Sequence, residues 1–179
     1  MIIKRINQHP ELIPVLATWF HHEWGGFSPY HSIENEMSRL QRHAASDRVP
    51  FTLIAFKNES PVASVSVITH DESPFPWLTN VFVSAGFRRC GVGTFIVNNA
   101  IEEVKKLGFQ KLLLVTIEKA GFFKKLDWEV VDSSHYGQTV TIMEKRLHTP
   151  MINCQKHVKH SDLMPARIDF FSTAETFQS

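Results

Sequence analysis

Along the chain, apolar residues recur either at every second position or at helical spacing, and the two rhythms change over at turn-forming residues. Residues 1–6 read as a short strand, and Leu12, Leu16, Trp19 and Phe20 then recur at helical spacing. Ser32 stands where an N-cap belongs. Behind it, Glu34 and Glu36 suit the positive end of a helix dipole, and Ile33, Met37 and Leu40 form one apolar face. Residues 51–56 and 62–69 are rich in strand formers and are separated by Asn58-Glu59-Ser60-Pro61, so a hairpin is expected. In the second of these runs Val65 and Val67 alternate with Ser64 and Ser66.

A third strand-like run, residues 77–83, leads into a loop containing two glycines. Beyond the loop, Ile96, Ala100, Val104 and Leu107 make a helical stripe that Gly108 ends as a C-cap. Residues 111–116 form an unbroken apolar run of the kind covered on both faces, followed by a short helix over 119–126. Residues 129–133 and 139–147 read as a closing hairpin around His135-Tyr136-Gly137, whose outer strand is either a free edge or a dimer seam. The order of elements predicts a mixed α/β layered sheet. From Thr149 the periodicity stops, so the expected domain is 1–148 with 149–179 as an appendage outside it.

Composition narrows this picture. A chain of 179 residues, 43% hydrophobic and 21% charged, fills one well-buried domain. A formal net charge of +1 offers no global field for nucleic acid or an anionic membrane, and no apolar run reaches the roughly 20 residues of a membrane span. The N-terminal MIIKRINQHP lacks the apolar stretch of a signal peptide, and the two cysteines, Cys90 and Cys154, lie in unrelated contexts; a cytoplasmic setting is expected. Cys154, His157 and His160 are spaced like metal ligands, but a polar tail with no evident fourth partner predicts no metal.

The candidate chemistry sits in the loop Arg88, Arg89, Cys90, Gly91, Val92, Gly93, Thr94, between strand and helix. Glycines permit a tight turn that gathers backbone N–H groups, and the helix start adds its positive dipole end, so the loop is expected to cradle a pyrophosphate. A P-loop would need Gly-Lys-Ser/Thr, whereas Thr94 follows Gly93 directly. A dinucleotide fingerprint would need a third glycine where Ile96 stands. Cys90, beside two arginines and a helix start, is expected to be oxidation-sensitive and not the nucleophile of the reaction.

Arg88-x-x-Gly91-x-Gly93 resembles the acyl-CoA pyrophosphate loop of the GNAT superfamily of N-acetyltransferases. Residues 116–128 (TIEKAGFFKKLDW) look like that family's second cofactor segment, and His70-Asp71 with Pro76-Trp77-Leu78 resemble a stretch found in a bacterial subgroup. The likeness spans 1–147. It implies a mostly antiparallel central sheet with helices on both faces and a splayed strand pair binding acyl-CoA, with acetyl-CoA as cosubstrate, an amine as partner, and a monomer or homodimer.

The same resemblance implies that backbone at Val81, Phe82 and Val83 binds the pantetheine amides and polarises the acetyl carbonyl. Phe123 stands where many relatives carry a tyrosine that serves the leaving thiolate; phenylalanine has no proton to give. Tyr136 is a substitute donor or a surface turn aromatic. As the base that frees the amine, His70, Asp71, Glu23 and Glu118 are candidates, with His70 and Asp71 singled out because they follow a strand directly, and ordered water is an alternative. Glu23 and Trp24, with Phe27 and Tyr30, are placed to line an acceptor pocket. Asp127 and Arg89-Cys90 depart from the family's glycines. Three functions follow: an N-acetyltransferase acting on a primary amine, a catalytically weak or inactive acyl-CoA-binding regulatory module, or a protein that holds ATP in the same cradle.

Overall fold

In a computed structural model, residues 1–26, 31–71, 73–135 and 139–147 are described. Tyr136, Phe27, Tyr30, the boundary at 148/149 and the whole 149–179 segment lie outside them. The strands are β1 (Ile2–Arg5), β2 (Phe51–Lys57), β3 (Ser60–Ile68), β4 (Trp77–Val83), β5 (Lys111–Thr116), β6 (Glu129–His135) and β7 (Thr139–Arg146). They form one seven-stranded sheet in the order β1-β2-β3-β4-β5-β7-β6. All neighbours are antiparallel except β4 and β5. Among the described residues the α-helices are α1 (Ile13–Trp24), α2 (Ile33–Ala44), α3 (Val92–Lys106) and α4 (Ala120–Lys124).

Local sequence accounts for the boundaries. The expected hairpin of β2 and β3 turns through Asn58 (φ 49°) and Glu59 (φ 63°), the double left-handed conformation that matches strand twist in a two-residue loop. Ser32 caps α2, its side chain accepting from the Asn35 N–H. α3 closes on Gly108 (φ 88°), with Gly108 N–H donating to Lys105 O and Phe109 N–H to Val104 O, the paired bonds of a Schellman end.

α3 buries Ile96, Val97, Ala100 and Val104 against one face of the sheet, meeting Leu53, Val65, Leu112 and Leu114. α1 and α2 cover the other face over β2, with Leu16, Phe20 and Leu40 against Ile54 and Phe56. This second layer stops short of β5. The strand expected to be covered on both faces is buried at Leu112, Leu114 and Thr116 but only half-buried at Lys111, Leu113 and Val115. Glu36, in the first turn of α2 as expected, is also fully buried, its Oε1 accepting from His31 Nδ1 at 2.7 Å and Arg39 Nη1 at 3.1 Å.

Under α2, His43 meets the Thr52 hydroxyl at 2.7 Å, which in turn meets Ser66 Oγ at 2.8 Å. Burial, reinforced by Arg42 and Arg39, pushes the imidazole pKa down to about 4, so His43 is neutral in the native state. Between that value and its ordinary 6.5 the unfolded chain binds a proton that the native protein does not, so stability is full above pH 6.5 and falls as pH drops. Urea denaturation at pH 7 and pH 5 is expected to show a loss of about 2 kcal/mol from this group, and His43→Gln should flatten that slope.

Candidate functional site

The site is built where β4 leaves its partner. β4 and β5 are in register at only two positions, Trp77 with Leu113 and Leu78 with Leu114, and beyond these the strands part. On the other side of β4, Ser66 faces Thr79 and Ser64 faces Phe82, so Asn80 and Val81 together oppose the single Val65. That is a bulge, and Asn80 adopts φ 49° to make it. A bulge bends its strand and re-aims backbone groups. Asparagine tolerates the left-handed region better than the β-branched residues that flank it in this run. Val81, Phe82 and Val83 continue from the bulge along the open gap, each half-buried.

At the end of β4 a short 3-10 turn, Ala85–Phe87, leads into the glycine loop. Arg89 (φ 60°) and Gly91 (φ 80°) are both left-handed, which curls the chain into a concave run of backbone N–H groups. Gly91 is the N-cap of α3, and no side chain caps the helix. The N–H groups of Val92, Gly93 and Thr94 have no acceptor within the helix, since the first turn of any α-helix leaves them over. A Cβ built on Gly91 meets nothing within 4 Å, so the space in front of the turn is open. Gly93 lies in the first turn of α3, where a Cβ would stand in ordinary van der Waals contact, 3.4 Å from Phe122 Cζ and 3.8 Å from Val83 Cγ2.

Arg89 and Cys90 are exposed at the mouth of this cradle, and Cys90 Sγ lies 3.4 Å from the Arg88 carbonyl. The Arg88 guanidinium is engaged twice: its Nε donates to the Val83 carbonyl at 2.8 Å and its Nη2 pairs with Glu23 Oε2 at 2.9 Å. The Glu23 carboxylate is therefore engaged with a cation.

The other expected residues are placed as follows. Phe123, on α4, is buried in the main core with its ring against Trp128 at 5.8 Å and Phe122 at 5.0 Å. The aromatic that reaches the cradle is its neighbour Phe122, over Gly93. Phe123→Tyr would place a hydroxyl among apolar side chains, and a loss of about 1–3 kcal/mol in urea denaturation is expected. His70 and Asp71 follow β3, and His70 packs edge-on to Trp77 at 5.7 Å. Trp77 opens β4 while the cradle follows Val83, and six residue steps along a strand are about 20 Å. His70 and Asp71 are therefore at the opposite end of the strand from the loop. Glu118 is exposed just ahead of α4 and pairs loosely with Lys119. The features that sequence reasoning passed over are the Asn80 bulge, the Phe122 contact and the Arg88–Glu23 pair. Among the described residues, no group of His, Cys, Asp and Glu could hold a metal, and no helix is long and apolar enough to cross a membrane.

A sequence model of the acetyltransferase (GNAT) family matches residues 16–128. The chain belongs to the GNAT family. In this GNAT protein the glycine loop at the N-terminus of α3 and the parted strands β4 and β5 both lie inside the matched span. Among solved structures, an aminoglycoside 6'-N-acetyltransferase complexed with coenzyme A superposes with a TM-score of 0.69 at 16% identity, covering 84% of this chain and 99% of that one. An aminoglycoside 6'-N-acetyltransferase from Enterococcus faecium gives 0.67 at 16% identity, with the same coverage. N-acetylglutamate synthase from Neisseria gonorrhoeae, complexed with coenzyme A and N-acetyl-glutamate, gives 0.64 at 16% identity, covering 83% of this chain and 36% of that one. At these identities the likeness is one of fold. No curated protein matches the chain by sequence.

Proposed function

We propose that this GNAT protein is an acetyl-CoA-dependent N-acetyltransferase that moves the acetyl group directly to a primary amine. The observation that carries the reading is the open, uncapped N-terminus of α3 placed at the end of a strand that has left its neighbour. A pyrophosphate fits that cradle: unsatisfied N–H groups, a helix dipole and a nearby arginine all favour an anion. The gap beside Val81–Val83 then takes the pantetheine arm, whose amides need exposed backbone partners. Cosubstrate binding supplies a thioester; the chain's own residues orient it and exclude water on the α3 side.

The transfer forms a C–N bond and breaks the thioester C–S bond, releasing the thiolate and one amine proton. We propose that water takes up the amine proton and that the thiolate leaves without an acid from Phe123, which has no proton to give. A thiol with an ordinary pKa near 8.5 is a tolerable leaving group beside a helix N-terminus. The burial of Phe123 favours one alternative, a regulatory module that binds acyl-CoA without turnover.

A panel of amines separates the two. An aminoglycoside, spermidine, a free amino acid and a peptide N-terminus, each with acetyl-CoA, are followed by thiol release. The enzyme reading expects acetyl-CoA-dependent thiol release above the hydrolysis background with at least one acceptor class. Tight CoA binding with no turnover on any of them would favour the module.

A further inference from the structure

Arg88 opens the glycine loop, yet its guanidinium is spent elsewhere. Besides its bond to the Val83 carbonyl and its pair with Glu23, the group lies over the Phe82 ring at 5.9 Å, and Phe82 is stacked on Trp19 of α1 at 4.8 Å. One side chain thereby joins the last residue of β4 to the last turn of α1. Glu23 gives independent support. An acidic residue in the C-terminal turn of a helix opposes the helix dipole, so its place in α1 is not explained by that helix's own stability. Pairing with a cation offsets the conflict. Arg89, by contrast, makes no ion pair among the described residues, is exposed, and is held left-handed at the mouth of the cradle.

Resting on the acetyl-CoA reading above, we propose that Arg88 is a positioning residue that clamps the end of α1 to the end of β4, and that Arg89 supplies the cationic side chain for the pyrophosphate. The clamp sets the α1 wall of the cleft beside Val83. The two arginines thus divide the work that their adjacency in sequence suggests they share. Half-exposed ion pairs add little to global stability, so the consequence of losing the clamp is local.

The test uses the full chain with Arg88→Gln, Glu23→Gln, the double variant and Arg89→Gln, measuring the Kd for CoA by calorimetry and amide hydrogen exchange at residues 20–24. Arg89→Gln is expected to weaken CoA binding roughly five- to tenfold, the worth of a charged hydrogen bond partly exposed to water. Arg88→Gln should leave the Kd within about twofold while speeding exchange at 20–24, and Glu23→Gln should do the same. Since both act through one contact, the double variant should be no faster than Arg88→Gln alone. Arg88→Gln weakening CoA as much as Arg89→Gln, or unchanged exchange in both clamp variants, would overturn the proposal. If the parent protein binds no CoA, the acetyl-CoA reading and the role of Arg89 both fall, and the exchange experiment alone decides the clamp.

Discussion

Gly91→Glu is expected to abolish CoA binding, raising the Kd by at least about a hundredfold, while the fold survives. Gly91 is left-handed at φ 80°, and a side chain there costs about 1–2 kcal/mol in backbone strain. Nothing stands within 4 Å of the new Cβ, so the substitution creates no clash in the folded protein. The added carboxylate, however, enters the space in front of the uncapped N-terminus of α3. There it satisfies the same N–H groups and repels the phosphates. Repulsion and blockage both act on the ligand rather than on the core, so a normal unfolding transition with no CoA response is the expected pair of results. Calorimetry with CoA and a urea curve on the same sample check it. Gly91→Ala separates strain from charge, since it should share the stability loss while keeping most of the affinity.

The second large effect is expected at Asn80. Its φ of 49° is what allows Asn80 and Val81 to oppose one residue, and this bulge lies just where β4 parts from β5. Asn80→Val should either keep the bulge at a strain cost of about 1–3 kcal/mol or abandon it and let β4 straighten. A straightened strand narrows the gap beside Val81–Val83 and presents different backbone groups to the pantetheine. Acetyl transfer should fall at least about tenfold, since small misplacements of reacting groups are costly. Asn80→Gly accepts the same dihedral without penalty and should retain activity. If Asn80→Val and Asn80→Gly behave alike, the bulge is not what shapes the cleft.

The parts of this protein legible in its sequence are those set by local chemistry. Ser32 capped its helix, Gly108 ended another, and the hairpin turn fell at Asn58-Glu59, because caps and turns depend on a few adjacent residues. The glycine loop was legible for the same reason, and with it the family. What the sequence did not reveal depends on which distant surfaces meet. The coverage of β5 on one face only follows from how far α1 and α2 extend, and no period in residues 111–116 records that.

Arg88 is adjacent to the cradle in sequence, but its pairing with Glu23, 65 residues earlier, depends on where α1 ends, which no local pattern records. That His70 and Asp71 follow a strand directly is legible in the sequence; that they stand at the end of β4 away from the cradle depends on how β3 and β4 pair. A usable signal did exist at Asn80. An asparagine inside a Trp-Leu-Thr-Asn-Val-Phe-Val run is the residue best able to leave the extended conformation.

The central claim, that the α3 N-terminus is an acyl-CoA site, is tested most directly by thermal unfolding of the full chain with acetyl-CoA, CoA and ATP. Ligand at a hundred times its Kd adds about 2.7 kcal/mol, and for a domain of this size that raises Tm by roughly 5–10 °C. The account predicts a saturable rise of that order with acetyl-CoA and CoA and little with ATP. No shift with acetyl-CoA at millimolar concentration, or an equal shift with ATP that CoA cannot exceed, would contradict it.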